Sequence, residues 1–319
     1  MRHRLLQLRL RLYMRHMAAS RRAILVGPHH RELGFEVLYW IPFVNQLRAD
    51  YGLEKNRLIA MSRGGLAPLY DMAGVSDIYE FLPVDTVRLH AIKATQRQAS
   101  SKQFTIEPWE RHVIGLAASA LGVPPPLVLH PSWMYQLLQP AWADKMSMLD
   151  LSRYLNPLPL PTLPLPPGLT LPEKFVAVRV YARATMQAHD GVTFYLKRQL
   201  ERLAKKQPIV FLSSDTRYDD HADILRPFGD NMIEVQTTAP QQNLALQVAV
   251  LQRASAFVGT YGGLAQTALR CGKPTVALYT QWGGTAFAHV DLTQRLALAS
   301  GVPFYLMQAQ AVEQLAELW

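Results

Sequence analysis

The sequence predicts an α/β protein of two units, each a parallel sheet covered by helices on both faces. Three observations carry that expectation. Short apolar strands alternate with amphipathic helices along most of the 319 residues, the pattern of parallel sheets buried on both sides. The length exceeds what one hydrophobic core usually supports. A proline-dense stretch, "NPLPLPTLPLPPGLTLPEK", divides the alternation near its middle. The expected layout is a basic N-terminal segment (1–22), a first α/β domain (23–155), a proline-rich linker (156–174) and a second α/β domain (175–319). The two domains are expected to face each other across a cleft.

The first segment, "MRHRLLQLRLRLYMRHMAASRR", carries most of the net charge of +9. Residues 1–31 hold eight Arg and no acid, so the remainder sits at +1. A nearly neutral body argues against a nucleic-acid reader, which carries a basic face on its folded part. At helical spacing Leu6, Leu10, Tyr13 and Met17 make one stripe with Arg4, Arg11 and Arg15 nearly opposite. Leu5, Leu8 and Leu12 make a second stripe. A basic amphipathic helix of this kind suits an anionic membrane surface. An organellar transit peptide and a flexible tail are the alternatives. No apolar run approaches the roughly 20 residues of a membrane span. A single cysteine, Cys271, is expected to be a buried small hydrophobe in a reducing compartment.

In the first domain "AILVG" reads as a strand and "GFEVLYWIPFVNQLRADYG" as a helix interrupted near Pro42. "RLIAMS" reads as a strand, "GGLAPLYDMAG" as a short helix and "DIYEFLP" as a strand. Residues 84–105 read as an irregular polar loop. "EPWERHVIGLAASALG" is a helix with Pro108 at its start, and "PLVLHP" a strand. The linker's seven prolines favour an extended, semi-rigid connection, with a docking motif for another protein as the alternative.

In the second domain the strands are "FVAVRVY", "PIVFLSS", "MIEVQ", "AFVGT", "PTVALY" and "PFYLM". The helices are "TFYLKRQLERLAKK", a short one near "YDDHADILRPF", "NLALQVAVLQRA", "LAQTALRCG", "VDLTQRLALASG" and "AVEQLAELW". Ligands of open α/β sheets sit beyond the C-terminal strand ends, so the chemistry belongs on the loops that follow these strands.

The stretch "GTYGGLAQTALRCGKPTVALY" ends a strand at Thr260, turns through Tyr261, Gly262 and Gly263, and starts a helix. A helix N-terminus presents unpaired N–H groups and attracts phosphate. The run resembles the donor-binding motif of GT-B glycosyltransferases, in particular the heptosyltransferase-like and fucosyltransferase-like branches. Where heptosyltransferases carry Asp at the strand end and His in the helix, this chain has Thr260 and Gln266. The resemblance implies two Rossmann-like domains of the GT-B fold. It also implies a nucleotide-sugar donor held by Thr260, Tyr261, Gly262, Gly263 and Gln266, and an inverting, metal-independent sugar transfer without a cofactor.

"ELGFEVLYWIPFV" resembles the loop after the first strand of heptosyltransferases, where an acid serves as base. The resemblance puts Glu36 there, with Glu32 as the alternative and His29, His30 and Gly34 beside the acceptor. "FVAVRVYARAT" resembles the fucosyltransferase strand whose Arg residues grip the donor phosphate, which implies Arg179 and Arg183. Ser214 and Asp215 fall where these families touch the nucleoside. Asp219, Asp220, His221 and Asp223 form an acidic run, read as helix caps rather than a metal site. The acceptor is expected to be a glycan or glycolipid, and the protein cytoplasmic, peripheral at the inner face of the membrane. A non-catalytic binding partner of a membrane complex, an epimerase and a pyruvyl transferase remain the alternatives.

Overall fold

The computed structural model describes residues 2–98, 100, 102–124, 126–143, 145–147, 159–213, 222–235, 239–282 and 287–311. The chain divides into two compact units, Met1–Pro161 and Thr162–Trp319. Each has its own parallel sheet, as the alternation predicts.

The first unit begins with α1 (Arg2–Ala19). It is no appended tail. Leu10, Met14 and Met17 are buried, and the helix packs on α3 (Ile41–Tyr51) and α6 (Ser132–Trp142). The Tyr13 hydroxyl donates to the Val128 carbonyl at 2.9 Å and its ring stacks on Trp133. At the far end the Arg57 guanidinium donates to the Met17 carbonyl at 2.8 Å, satisfying an oxygen the helix leaves unpaired. The inward stripe is therefore Leu10, Met14 and Met17, close to the stripe the sequence offered to a membrane.

Four strands form the sheet: β1 (Ile24–Val26), β2 (Leu58–Ser62), β3 (Gly74–Asp77) and β4 (Leu127–Leu129). Their order is β3-β2-β1-β4, all parallel. After β1 the chain runs through α2 (Leu33–Phe35), a π-helical turn (Glu36–Trp40) and α3. Pro42 has no N–H to donate back along the helix, and the wide turn just ahead of it absorbs the missing bond. Gly52, left-handed at φ 60°, ends α3, a conformation glycine adopts without penalty.

Three expectations for this unit need correction. β3 covers Gly74–Asp77 rather than the run from Asp77 onward, which forms a 3₁₀ turn capped by the Asp77 carboxylate. "GGLAPLYDMAG" yields only a 3₁₀ turn, Ala67–Tyr70. Residues 84–105 hold α4 (Val84–Gln98), where a loop was expected. Its sequence is polar because it buries little, Val87 and Ala94 only. Tertiary contacts hold it instead: Arg31 donates to the Ala91 carbonyl and the Thr95 hydroxyl, and His90 stacks on Trp109 of α5 (Pro108–Ala120).

In the second unit the sheet order is β12-β11-β10-β5-β7-β9, again parallel. The strands are β5 (Val176–Arg179), β7 (Ile209–Phe211), β9 (Met232–Glu234), β10 (Ala256–Thr260), β11 (Thr275–Tyr279) and β12 (Phe304–Gln308). A small antiparallel pair joins β6 (Tyr181–Ala182) to β8 (Ala222–Asp223). The helices are α7 (Asp190–Ala204), α8 (Asn243–Arg253), α9 (Gly263–Arg270) and α10 (Phe287–Ser300). A helix was expected near Tyr218–Phe228; its described part holds β8 instead, recruited by β6. The expected terminal helix "AVEQLAELW" lies, but for Ala311, outside the described residues.

The second part of the proline stretch belongs to this unit. Leu163 is buried, its N–H donates to Gln252 at 2.8 Å, and its carbonyl accepts from Arg253 at 3.0 Å. Both partners lie on α8.

Candidate functional site

Strand order decides where ligands can enter. In the second sheet the chain builds β5, β7 and β9 outward on one side, then returns to lay β10 beside β5 and goes on to β11 and β12. The reversal lies between β5 and β10. Loops leaving neighbouring strands in opposite directions open a crevice there. The residues at its mouth are those from the end of β5 onward (Arg179 to Met186) and those after β10 (Tyr261 to Gly263).

Arg179 and Arg183 have different surroundings. Arg179 donates from Nε to Asp223 at 3.0 Å and from Nη1 to Gln247 at 2.6 Å. It ties β5 to β8 and α8, so the expectation that it holds donor phosphate is revised to a role in the framework. Arg183 is half-exposed. It makes one long hydrogen bond, Nη1 to the Tyr261 carbonyl at 3.3 Å, and among the described residues no carboxylate pairs with it.

Gly262 lies directly beside that guanidinium. A Cβ added at Gly262 would run into the Tyr181 hydroxyl and come within 2.6 Å of Arg183 Nη1. Glycine is required here by close approach, not by backbone angle. α9 starts at the next residue, and the first bond that closes it is Gln266 N–H to the Gly262 carbonyl at 3.1 Å. The N–H groups ahead of Gln266 have no partner within the helix. A cation and a helix N-terminus thus stand at one turn.

Thr260 is buried, and its hydroxyl both accepts from Tyr181 N–H and donates to the Tyr181 carbonyl, each at 2.9 Å. It closes β6 onto β10, which revises its expected role as a donor contact. Tyr261 and Gln266 are buried as well. Burial raises the Tyr261 phenol above its ordinary value, which keeps its proton in place. Ser214 and Asp215 lie outside the described residues, as do Asp219, Asp220 and His221. Among the described residues no three His, Cys, Asp or Glu side chains gather as a metal site would require. Burial pushes the Cys271 thiol up to about 12, so it is no nucleophile.

The sequence reading overlooked the aromatic residues after β11. Trp282 stacks on Tyr279 with centroids 4.2 Å apart and lies 6.4 Å from the Tyr261 ring, with Phe287 at 5.9 Å. The loop they stand on is clipped to the hairpin that carries Arg183. Thr280 N–H donates to the Thr185 carbonyl at 2.9 Å, Gln187 N–H donates to the Thr280 hydroxyl at 2.8 Å, and Gln281 donates to the Ala184 carbonyl at 3.1 Å. Both Trp282 and Phe287 remain exposed. A tryptophan three residues past a buried strand's end was the available signal.

In the first unit the order reverses between β1 and β4. His29 and His30 follow β1 and His130 follows β4, yet all three are buried. They belong to two enclosed polar clusters. In one, Glu36 is wholly buried. Its Oε1 accepts from the Ser62 hydroxyl and, at 2.6 Å, from the Tyr70 hydroxyl; its Oε2 lies 3.3 Å from His29 Nδ1. Burial alone would push the Glu36 carboxyl up, but His29, Ser62 and Tyr70 outweigh it and hold the group below its ordinary value. In the other cluster Glu110 Oε1 accepts from Gln103 at 2.9 Å and meets Nε2 of His30 at 2.9 Å and of His130 at 3.3 Å. Ser132 N–H donates to His130 Nδ1 at 3.1 Å, so the proton of that ring faces Glu110.

These placements revise the assignments to Glu36, His29 and His30. They are interior groups, away from solvent. Gly34 is likewise buried in α2. Glu32 is the exception. It sits half-exposed at the N-cap of α2, and its side chain makes no capping bond.

Two buried groups set opposite pH dependences. Burial lowers His30 to about 4, so the stability it contributes is complete above its ordinary value near 6.5 and is lost as pH falls towards 4. Burial raises Asp77 to about 7, so its contribution is complete below about pH 4 and is lost as pH rises to 7. Asp77→Asn removes only the second. The stability of the variant relative to the parent should rise by roughly 3 kcal/mol between pH 4 and 7. Urea unfolding across that range measures it; a pH-independent difference would show that Asp77 ionises normally.

No protein-family model matches the chain, and no curated protein does. Solved structures resemble it at low identity. The glycosyl transferase family 9 protein of Veillonella parvula superposes with a TM-score of 0.45 at 13% identity, covering 82% of each chain. The ADP-heptose LPS heptosyltransferase II of E. coli gives 0.43 at 14%, covering 81% of this chain and 84% of that one. The iron-containing dodecameric glycosyltransferase TibC of enterotoxigenic E. coli gives 0.40 at 13%; the chain covers 58% of its length. Likeness at this level decides neither activity nor substrate.

Proposed function

We propose that this protein is a glycosyltransferase that takes a sugar from a nucleotide-sugar donor, with inversion and without a metal ion, and passes it to a glycan or glycolipid acceptor. The observation that carries the reading is the Arg183 guanidinium, with no carboxylate partner among the described residues, beside Gly262 and the start of α9, at the strand-order reversal of the second sheet. That arrangement suits a diphosphate. Arginine donates two parallel bonds to phosphate oxygens, and the helix N-terminus adds unpaired N–H groups and partial positive charge. The exposed Trp282 ring offers a face on which the donor's base can stack.

In the reaction an acceptor hydroxyl attacks the anomeric carbon while the bond from that carbon to the diphosphate oxygen breaks. The hydroxyl proton passes to a carboxylate, and the electron pair leaves with the nucleoside diphosphate. Arg183 and the α9 N-terminus stabilise the charge that builds on the leaving group, the work a metal does elsewhere. The base is Glu32, the half-exposed carboxylate of the first loop, whose side chain makes no capping bond; Glu36 is wholly buried.

Incubation with UDP-, GDP-, ADP- and CMP-sugars should release nucleotide from one class of donor when acceptor is present. Glu32→Gln should lower kcat by about 10²–10⁴-fold, the range of general base catalysis, and leave donor affinity unchanged. Tight binding of one nucleotide with no turnover under any condition would point to a binding protein. Full activity in the Gln variant would remove Glu32 from the mechanism.

A further inference from the structure

We infer that the outer face of α1 is a docking surface for an anionic lipid bilayer, entered by a leucine ridge that the fold leaves uncovered. The inward face of the helix is taken up by Leu10, Met14 and Met17 against α3 and α6. Opposite to it Leu5, Leu8 and Leu12 are 48%, 51% and 56% exposed. At 100° per residue these three fall within about 60° of arc. Arg4, Arg11 and Arg15 border the ridge on one side, Arg9 and His16 on the other, and all five are exposed. No acid occurs anywhere in the helix.

An exposed leucine is ordinary. Three in register along one helix, bordered on both sides by cations, are not explained by folding, since the helix is already anchored by its other face, by Tyr13 and by Arg57. The combination fits a helix lying in the plane of a membrane interface: leucines enter the acyl boundary, and the long arginine stems let their guanidinium groups reach the phosphates beside it. Charge selects the occupant. A second copy of the chain would set one acid-free arginine face against another. A nucleic acid would meet the arginines but gain nothing from the ridge. An anionic bilayer satisfies both features.

The surface lies on the first unit and involves none of the residues assigned to sugar transfer, so its failure and that of the proposed activity are separable. The test is co-sedimentation of the full chain with phosphatidylcholine vesicles, with and without about a quarter phosphatidylglycerol. The wild type should partition onto the anionic vesicles, weakly onto neutral ones, and less in high salt. The variant L5S/L8S/L12S should lose at least tenfold in partitioning. R4Q/R11Q/R15Q should lose about fivefold per arginine removed. Both variants should keep a melting temperature close to that of the wild type, because the altered side chains lie on the exposed face of the helix. Equal partitioning of wild type and leucine variant would overturn the inference, as would absence of binding to anionic vesicles. Sedimentation velocity adds a third arm: a wild-type dimer that L5S/L8S/L12S dissolves would assign the ridge to self-association instead.

Discussion

Glu36→Ala destabilises the first unit by about 3–5 kcal/mol, the usual cost of removing one member of a buried charged cluster. The carboxylate accepts from Ser62 and Tyr70 and lies against His29, all in the interior. Its loss strands two hydroxyl donors away from water, each costing on the order of 1–3 kcal/mol. Against a typical domain stability of about 5–15 kcal/mol, the unit is left marginal. Glu36→Gln keeps the shape and one acceptor, and the hydroxyls can turn to suit the amide; it should cost about 1–2 kcal/mol. Four of the six tryptophans, Trp40, Trp109, Trp133 and Trp142, belong to the first unit. Tryptophan fluorescence during urea unfolding therefore reports mainly on that unit. An Ala variant that unfolds at the wild-type urea concentration yet transfers no sugar would return Glu36 to the chemistry.

Arg183→Ala is expected to lower kcat/KM for sugar transfer by about 10²–10³-fold, the loss seen when one preorganised donor to a developing anion is removed. Folding should be unaffected, since among the described residues the side chain makes a single 3.3 Å bond and has no carboxylate partner. Lysine in its place restores charge but not the planar fork and should recover only part of the loss. Gly262→Ala tests the same pocket from the other side, because its methyl would displace the Tyr181 hydroxyl and the guanidinium together. Arg179→Ala should show the converse pattern: the ion pair with Asp223 is lost and the second unit melts earlier, with donor affinity changed little. Were Arg183→Ala to retain full activity, the diphosphate would have to lie elsewhere.

How far the site was legible differs between the units. In the second, strand β10, the glycine turn, α9 and strand β11 follow one another without a gap, and local chemistry fixes each: apolar strands, a turn free of side chains, a short helix. The approach of Arg183 to Gly262 was inferable because both follow strands of one parallel sheet. The difference between Arg179 and Arg183 was not. It depends on Asp223 and Gln247, which are 44 and 68 positions away from Arg179. In the first unit the loop "HHRELGFE" offered two histidines and two glutamates with equal standing. Only the arrival of Ser62, Tyr70, Gln103, Glu110 and His130 showed that three of those four side chains face inward.

The sequence by itself determined the class of the fold, the parallel strands, the division near the proline stretch and the place of the glycine turn before α9. These follow from periodicity, from proline's missing donor and from the small size of glycine, all local properties. Tertiary structure alone decided which charged groups are spent on the core and which remain at the surface. It also decided which of two leucine stripes on α1 is covered. A helical wheel displays both stripes alike; only α3, α6 and Trp133, brought up from distant parts of the chain, select the one that leaves water.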